Sequence, residues 1–315
     1  MADRAGTVGG SHATTSTRLR NPPATRPEAV IAQISRRKVL LAGLGGVAAV
    51  GLLGGGTALV LSARGPRGLL GWNEPAGWAG AQREYFTGAF SAADLRPWLA
   101  TGRRPIVSYK PSLPWAQIAQ GAADADLDEI RRALLDVDGA ADVAFHHEPE
   151  NNEIGHESAD EKFGTAAEYL AASRRFRDRA VEGTGAVFAL CLSSSGYEEA
   201  GRWDPGVDAY AVDTYNQWGA RGDQWRSLAE LIGPLVRYAE RRELPAAVWE
   251  CNSMEDPAAP ERKAEWITAA GATAKEQGLT ALVFFDGGEF AWRLLSSASS
   301  DRAVRALADW EYFTR

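Results

Sequence analysis

Apolar strands alternate with amphipathic helices from residue 68 onward, and this rhythm constrains the fold more than any other feature of the chain. Six strands read directly: "RPIVSYK" (103–109), "ADVAFHH" (141–147), "AVFALCL" (186–192), "VDAYAVDTY" (207–215), "PAAVWEC" (245–251) and "TALVFFD" (280–286). Helices separate or follow them: "DLDEIRRALLDV" (126–137), "TAAEYLAASRRFRDRAVEG" (165–183), "WRSLAELIGPLVRYAERR" (225–242), "RKAEWITAAGATAKEQG" (262–278) and "DRAVRALADW" (301–310). In the first of these, Leu127, Ile130, Leu134 and Leu135 recur at helical spacing on one face. Gly183 is placed to cap the second helix, and Pro234 is expected to kink the third. Strict alternation over residues 68–315 predicts an α/β fold, a (β/α)8 TIM barrel. An open doubly wound sheet is the rival, but it would carry a glycine-rich turn after its first strand, and none is present.

Counted back from the C-terminus, the six strands are numbers eight to three. The first two then fall around "LLGWNEP" and "EYFTGAF", within 68–90. A parallel crossover normally needs at least ~10–12 residues, so the start of the barrel is expected to be compressed. "WNEP" (72–75) reads as part of strand one, since no room exists before it for three β/α units.

Ahead of the barrel lies a different kind of sequence. Residues 1–34 are rich in Gly, Thr, Arg, Pro and Ala without apolar periodicity, and read as disordered. Residues 35–63 read as a twin-arginine-type signal or membrane anchor: Arg36 and Arg37 precede an uncharged run from Val39 to Leu61. That run, as a helix, would span roughly 34 Å, enough for a ~30 Å hydrocarbon core. Its many glycines suit a signal better than a permanent anchor. The basic residues Arg18, Arg20, Arg26, Arg36, Arg37 and Lys38 place the N-terminus inside. The expected partners are thus the export machinery and the membrane through 39–61. The expected location is the outer face of the cytoplasmic membrane or beyond it.

The net charge of −7 argues against nucleic acid as a partner, because phosphate binding needs a concentrated basic surface. Two cysteines, Cys191 and Cys251, allow one disulfide, but buried free thiols are the favoured reading. Neither sits in a zinc-ligand spacing. No cofactor and no metal is implied. The 11 tryptophans include some placed to stack on flat apolar faces, sugars among them.

In a β/α barrel, chemistry gathers at the C-terminal ends of the strands. "AFHHEPENN" (144–152) puts Glu148 at the end of strand four, and "AVWECNS" (247–253) puts Glu250 at the end of strand seven. Two carboxylates facing each other roughly 5–5.5 Å apart are what a retaining glycosidase needs. Burial beside its partner's charge would keep Glu148 protonated as the acid. The plainer alternative is two structural carboxylates that cap helices or pair with arginines. A metal site of His146, His147, Glu148 and His156 is a poorer reading, since adjacent residues on a strand point to opposite faces. Glu150 and Glu153 read as solvated loop residues.

Around the pair, Lys110, Asp213, Asn216 and Asp286 at strand ends are candidates to bind substrate hydroxyls. Trp115, Trp218 and Trp292, in the loops after strands three, six and eight, are candidates to stack on sugar rings, or else to anchor loops on the core. "SSSG" (193–196) lacks the nucleophile-elbow pattern, and no histidine follows it, which rules out a hydrolase triad of that type.

Seven segments, "PIVSYKP", "WAQIAQGAADADLDEI", "FHHEPENN", "GTAAEYLAASRRF", "VDAYAVDTYNQWG", "VWECNS" and "ALVFFDGG…WRLLSS", resemble glycoside hydrolase family 26 and its actinobacterial relatives over about 105–297. The resemblance implies a retaining barrel glycosidase acting on a β-linked polysaccharide, mannan-like or another exopolysaccharide. It implies Glu148 as acid/base, Glu250 as nucleophile, His147 as a hydrogen-bonding neighbour of the acid/base, and Tyr215 as a donor to the nucleophile. The chain departs from the mannanase pattern at Pro149 and at Glu250-Cys251-Asn252. The alternative function is a catalytically silent barrel that binds polysaccharide or assists its assembly.

Overall fold

The structure is a computed structural model that describes residues 68–72, 80–155, 163–219, 222–286, 294 and 296–313. The leader, Trp292 and His156 lie outside the described residues. Among the described residues no helix is long and apolar enough to cross a membrane.

Eight parallel strands close into a barrel in sequence order. They are β1 (Leu69–Trp72), β2 (Ala81–Phe86), β3 (Arg104–Tyr109), β4 (Asp142–Phe145), β5 (Val187–Ser193), β6 (Ala209–Asn216), β7 (Ala246–Ser253) and β8 (Ala281–Phe284). The barrel reading thus holds against the open sheet, since β1 pairs with β8. The compressed start is also present: only residues 73–80 connect β1 to β2.

Among the described residues seven α-helices surround the strands: α1 (Ala92–Ala100), α2 (Trp115–Ala119), α3 (Asp124–Asp136), α4 (Ala166–Phe176), α5 (Leu228–Arg242), α6 (Arg262–Glu276) and α7 (Ala298–Ala308). The helix expected over 165–183 is α4 followed by a π-helical turn, Arg177–Val181. Two helices were not expected. α1 carries Pro97 and buries only Ala92 and Leu95, and α2 is a single short turn. α5 starts later than expected, at Leu228, because Ser227 and Glu230 form a reciprocal capping box. Pro234 lies inside it.

Two apolar layers result. Strand side chains facing outward join the helices in the larger core, among them Val143, Phe145, Val212, Val248 and Leu282. Those facing inward form a smaller core dominated by small residues: Ala81, Ala144, Ala189, Ala211, Ala247 and Ala281, with Cys191 and Trp249. Alanines leave room inside the barrel, and Trp249 and the fully buried Arg83 take part of it. Cys191 and Cys251 are both buried and free. They sit in different layers, Cys191 inside the barrel and Cys251 under the helices.

The strand that carries Glu250 is irregular. Val212 pairs with Val248 and the next residue, Asp213, with Glu250, so Trp249 is an extra residue on β7. The same shift recurs against β8, between Val248 and Cys251. This is a β-bulge. Plain alternation would send Glu250 outward, because Ala247 and Trp249 face in. With the bulge, Cys251 faces out and Trp249 and Glu250 both turn toward the barrel axis.

Candidate active site

β4 ends in an abrupt backbone reversal. His146 and Glu148 both adopt left-handed conformations, at φ 46° and 50°. Such a conformation is costly for a residue with a Cβ, and the proline after Glu148 disfavours it further. Hydrogen bonds hold the strained segment. His146 N–H donates to the Tyr109 carbonyl at 2.8 Å, and Glu148 N–H to the Cys191 carbonyl at 2.8 Å. The Glu148 carbonyl accepts from Asn152 Nδ2 at 2.7 Å.

The reversal separates the two histidines. His146 turns outward and is fully buried among Trp115, Phe145 and Phe163. Its Nδ1 accepts from Trp115 Nε1 at 2.6 Å. His147 turns inward, with its ring 4.9 Å from that of Tyr85. Burial, and then the nearby Arg83 charge, hold the His147 imidazole well below its ordinary pKa.

At the opposite wall, Glu250 is surrounded by partners suited to an anion. Tyr215 Oη donates to Glu250 Oε2 at 2.6 Å. Tyr85 Oη donates to Oε1. Arg83 Nε lies 3.6 Å from Oε1. Burial pushes the Tyr85 and Tyr215 hydroxyls far up, so both remain protonated donors. Arg83 itself is stacked between Tyr85 and Trp249, 4.5 and 5.1 Å from the two ring centroids.

Glu148 has a different environment. Its carboxyl is pushed up to about 7, first by burial and then by the charge of Glu250. The side chain opens onto a cleft of about 530 Å³ that also takes in Asn151, the serines 193–195, Asp213, Tyr215 and Arg226. The serines form a polar wall there.

Glu150 corrects an expectation. It is not a solvated loop residue: its Oε1 accepts from Ser193 N–H at 2.6 Å and its Oε2 is shut away from solvent. Burial pushes its carboxyl up to about 7. Gly196 permits the close approach, since a Cβ there would lie 2.5 Å from Glu150 Oε1. Glu153 is likewise tied down, to Arg202 and to the Ala166 N–H.

Other expected site residues separate into two groups. Trp115 cannot stack on a sugar: it is fully buried and its indole is used by His146. Asn216 is buried as well, with Nδ2 donating to Ser253 Oγ at 2.9 Å and Oδ1 accepting from Arg226 N–H at 3.0 Å. It positions a loop rather than meeting substrate. Asp213 is buried in the barrel mouth, 4.0 Å from Arg83. Burial and the charge of Glu250 push its carboxyl well up. Lys110 is half-buried at the end of β3, and its charge acts on Glu148 in the opposite sense to that of Glu250. Trp218 is half-buried, edge-on to Trp225. Asp286, after β8, accepts from Leu294 N–H at 3.1 Å.

His147, Asp213 and Glu250 bring ligand-type atoms within 4.8 Å of one another. The Arg83 guanidinium already stands against both carboxylates, so a second cation would meet a buried positive charge. Arg83 and Tyr85 were missed in the sequence. The "QREYF" stretch shows two charges in a short segment, which reads as a surface. Only the outward/inward alternation around Arg83 and Tyr85 on one strand could have marked them.

No family model matches the chain, and no curated protein matches it. Solved structures do. The chain is similar to a native Bacteroidetes-affiliated GH5 cellulase linked with a polysaccharide utilization locus. That match has a TM-score of 0.51 and 13% identity, over 79% of this chain and 91% of the other. It is similar to a Bacteroides ovatus GH5 xyloglucanase in complex with a XXXG heptasaccharide, with TM-score 0.53 and 12% identity over 74% and 66%. Fungal β-1,4-galactanases match at TM-score 0.51 and 13% identity, over 73% and 88%. At these identities the likeness shows the fold, an eight-stranded β/α barrel.

Proposed function

We propose that this chain is a retaining glycoside hydrolase that cleaves a β-linked polysaccharide, with Glu250 as nucleophile and Glu148 as general acid and base. The observation that carries the reading is the contrast between the two carboxyls. One is bracketed by two tyrosine hydroxyls and an arginine. The other is held up to about 7 by burial and by the first one's charge. Double displacement needs this division: an anion to attack the sugar carbon, and a carboxylic acid still protonated near neutrality to release the leaving oxygen. Tyr215 and Tyr85 hold and orient Glu250, and Arg83 balances its charge. In the second step Glu148, now ionised, draws a proton from water.

The fold supports the reading by analogy only. The similar solved structures are a GH5 cellulase, a GH5 xyloglucanase and fungal β-1,4-galactanases. The family 26 resemblance is a finer proposal, resting on the His147-Glu148 and Glu250 segments. The sugar is proposed to be mannan-like or another exopolysaccharide. We further propose export of the chain through its Arg36-Arg37 leader. Arg36→Lys with Arg37→Lys is expected to leave it in the cytoplasm, and unchanged export would exclude that route.

The activity is tested by incubating the full chain with mannans, xylans, β-glucans and bacterial exopolysaccharides and following the anomeric proton of the first product by NMR. Retention of configuration is expected. Inversion would exclude the double displacement, and binding without cleavage would leave a silent barrel.

A further inference from the structure

The cleft beneath Glu148 does not end at the barrel mouth. Arg226 lines it, and Arg226 also lines a second, open hollow of about 750 Å³ beside Trp225, Glu230 and Arg262. One residue therefore borders both spaces.

Arg226 is held by its backbone from both sides. Its N–H donates to Asn216 Oδ1 at 3.0 Å, and its carbonyl accepts from Trp266 Nε1 at 2.9 Å. Asn216 is itself buried and fixed by Ser253. The guanidinium is exposed and forms no salt bridge among the described residues. Its one hydrogen bond runs to the Glu230 carbonyl at 3.4 Å. The Glu230 Oε2 accepts from Ser227 N–H and Oγ at 2.7 and 2.8 Å, and the Arg226 charge also acts on this carboxylate. Beyond Arg226, the Arg262 guanidinium lies 4.1 Å from the Trp225 ring centroid, with one edge taken by Asp256 at 2.9 Å. An exposed arginine anchored through its backbone and in no salt bridge among the described residues, next to an indole and a second arginine, matches a flat ring that carries a carboxylate, the Glu230 charge offsetting it in part.

We infer that the hollow of Trp225, Arg226 and Arg262 is a distal subsite for a carboxylate-bearing sugar unit of the polysaccharide held in the barrel mouth. The inference rests on the glycosidase reading and narrows it to acidic chains. The fork of Arg226 donates to the carboxylate, while Trp225 and Arg262 border the ring. Asn216 and Trp266 fix the Arg226 main chain, which lowers the ordering cost of binding to that of the side chain alone.

The test compares two hexamers that differ only at C6: β-1,4-linked mannuronate and β-1,4-linked mannose. Binding to the full chain carrying Glu250→Gln is measured by calorimetry at low salt. The mannuronate hexamer is expected to bind about tenfold tighter, with the advantage lost as salt is raised. Arg226→Gln should bring it down to the affinity of the neutral hexamer, and Arg226→Lys should fall between. Equal affinities, a preference that survives Arg226→Gln, or binding of neither hexamer would each overturn the subsite. Cleavage of a neutral polysaccharide with no acid preference removes the subsite and leaves the glycosidase. An acid preference with no cleavage of any polysaccharide removes the glycosidase and leaves the subsite.

Discussion

Glu148 and Glu250 are the same side chain at the ends of two strands of one barrel, and their surroundings differ in almost every respect. Glu250 reaches the mouth through a bulge in an otherwise regular strand. It meets donors: two tyrosine hydroxyls and a guanidinium. Glu148 reaches the mouth by a backbone reversal with two left-handed residues. It meets burial and a like charge, offset in part by Asn151, Lys110 and Arg83. The difference shows that identity at a strand end does not set a role. Backbone irregularity aims the group, and the partners it then finds decide its protonation.

Removing one or the other is the strongest way to break the comparison. In the proposed mechanism Glu250→Ala deletes the nucleophile, so both steps should stop, with a loss on the order of 10⁴-fold or more. Steady-state assays on a cleaved polysaccharide check this, and residual activity near wild type would place the nucleophile elsewhere. Glu148→Ala removes proton transfer alone, a loss of ~10²–10⁴-fold on a natural leaving group. On a dinitrophenyl glycoside the first step should survive and the second stall, with azide restoring turnover. Failure of azide to help would remove Glu148 from the acid/base role.

A milder change sharpens the other side. Tyr215→Phe takes one charge-assisted hydrogen bond from Glu250 and is expected to lower kcat about tenfold to a hundredfold, with KM little altered. The pH profile supplies an independent check. The acid must be protonated, so kcat/KM should fall as pH rises through about 7 in the wild type.

The smallest effect lies off the reaction path, at Glu150. Its carboxyl ionises near 4.5 in the unfolded chain and holds its proton to about 7 in the folded one. Across that window the folded state binds more protons, so its stability falls as pH rises and levels off above about 7. Glu150→Gln keeps an acceptor for the Ser193 N–H and removes the penalty. It should stabilise the chain at alkaline pH by on the order of 2–3 kcal/mol and change little below pH 4.5. Denaturant unfolding at both pH values measures this, and an equal effect at the two would show that the carboxyl is not buried as described.

Much of the barrel was legible in the sequence, because its inner and outer cores produce apolar runs that need no context. β5, with Leu190 and Leu192 outward and Ala189 and Cys191 inward, is apolar on both faces and reads as a strand at once. β2 is the opposite case. Arg83 and Tyr85 are core residues of the mouth whose polarity is matched only by partners far along the chain, Asp213 and Glu250. α1 was missed because Pro97 and a weak apolar pattern obscure its inward face. Of the candidate site, the two glutamates and Tyr215 were visible. The bulge that turns Glu250 inward was not, since it depends on register against two neighbours. Trp115 and Asn216 misled for a related reason. Aromatic and amide side chains at strand ends suit sugar binding, but only the packed structure reveals that His146 and Arg226 already occupy them.

The contrast between the two carboxyls can be measured without knowing the sugar. In protein labelled with ¹³C at the glutamate carboxyls, the Glu148 signal can be assigned from its loss in Glu148→Gln and followed against pH. It is expected to titrate near 7 in the wild type and lower in Glu250→Gln, where the neighbouring charge is gone but burial remains. A Glu148 signal that titrates near 4.5, and is indifferent to Glu250→Gln, would contradict the division of roles on which the proposed mechanism stands.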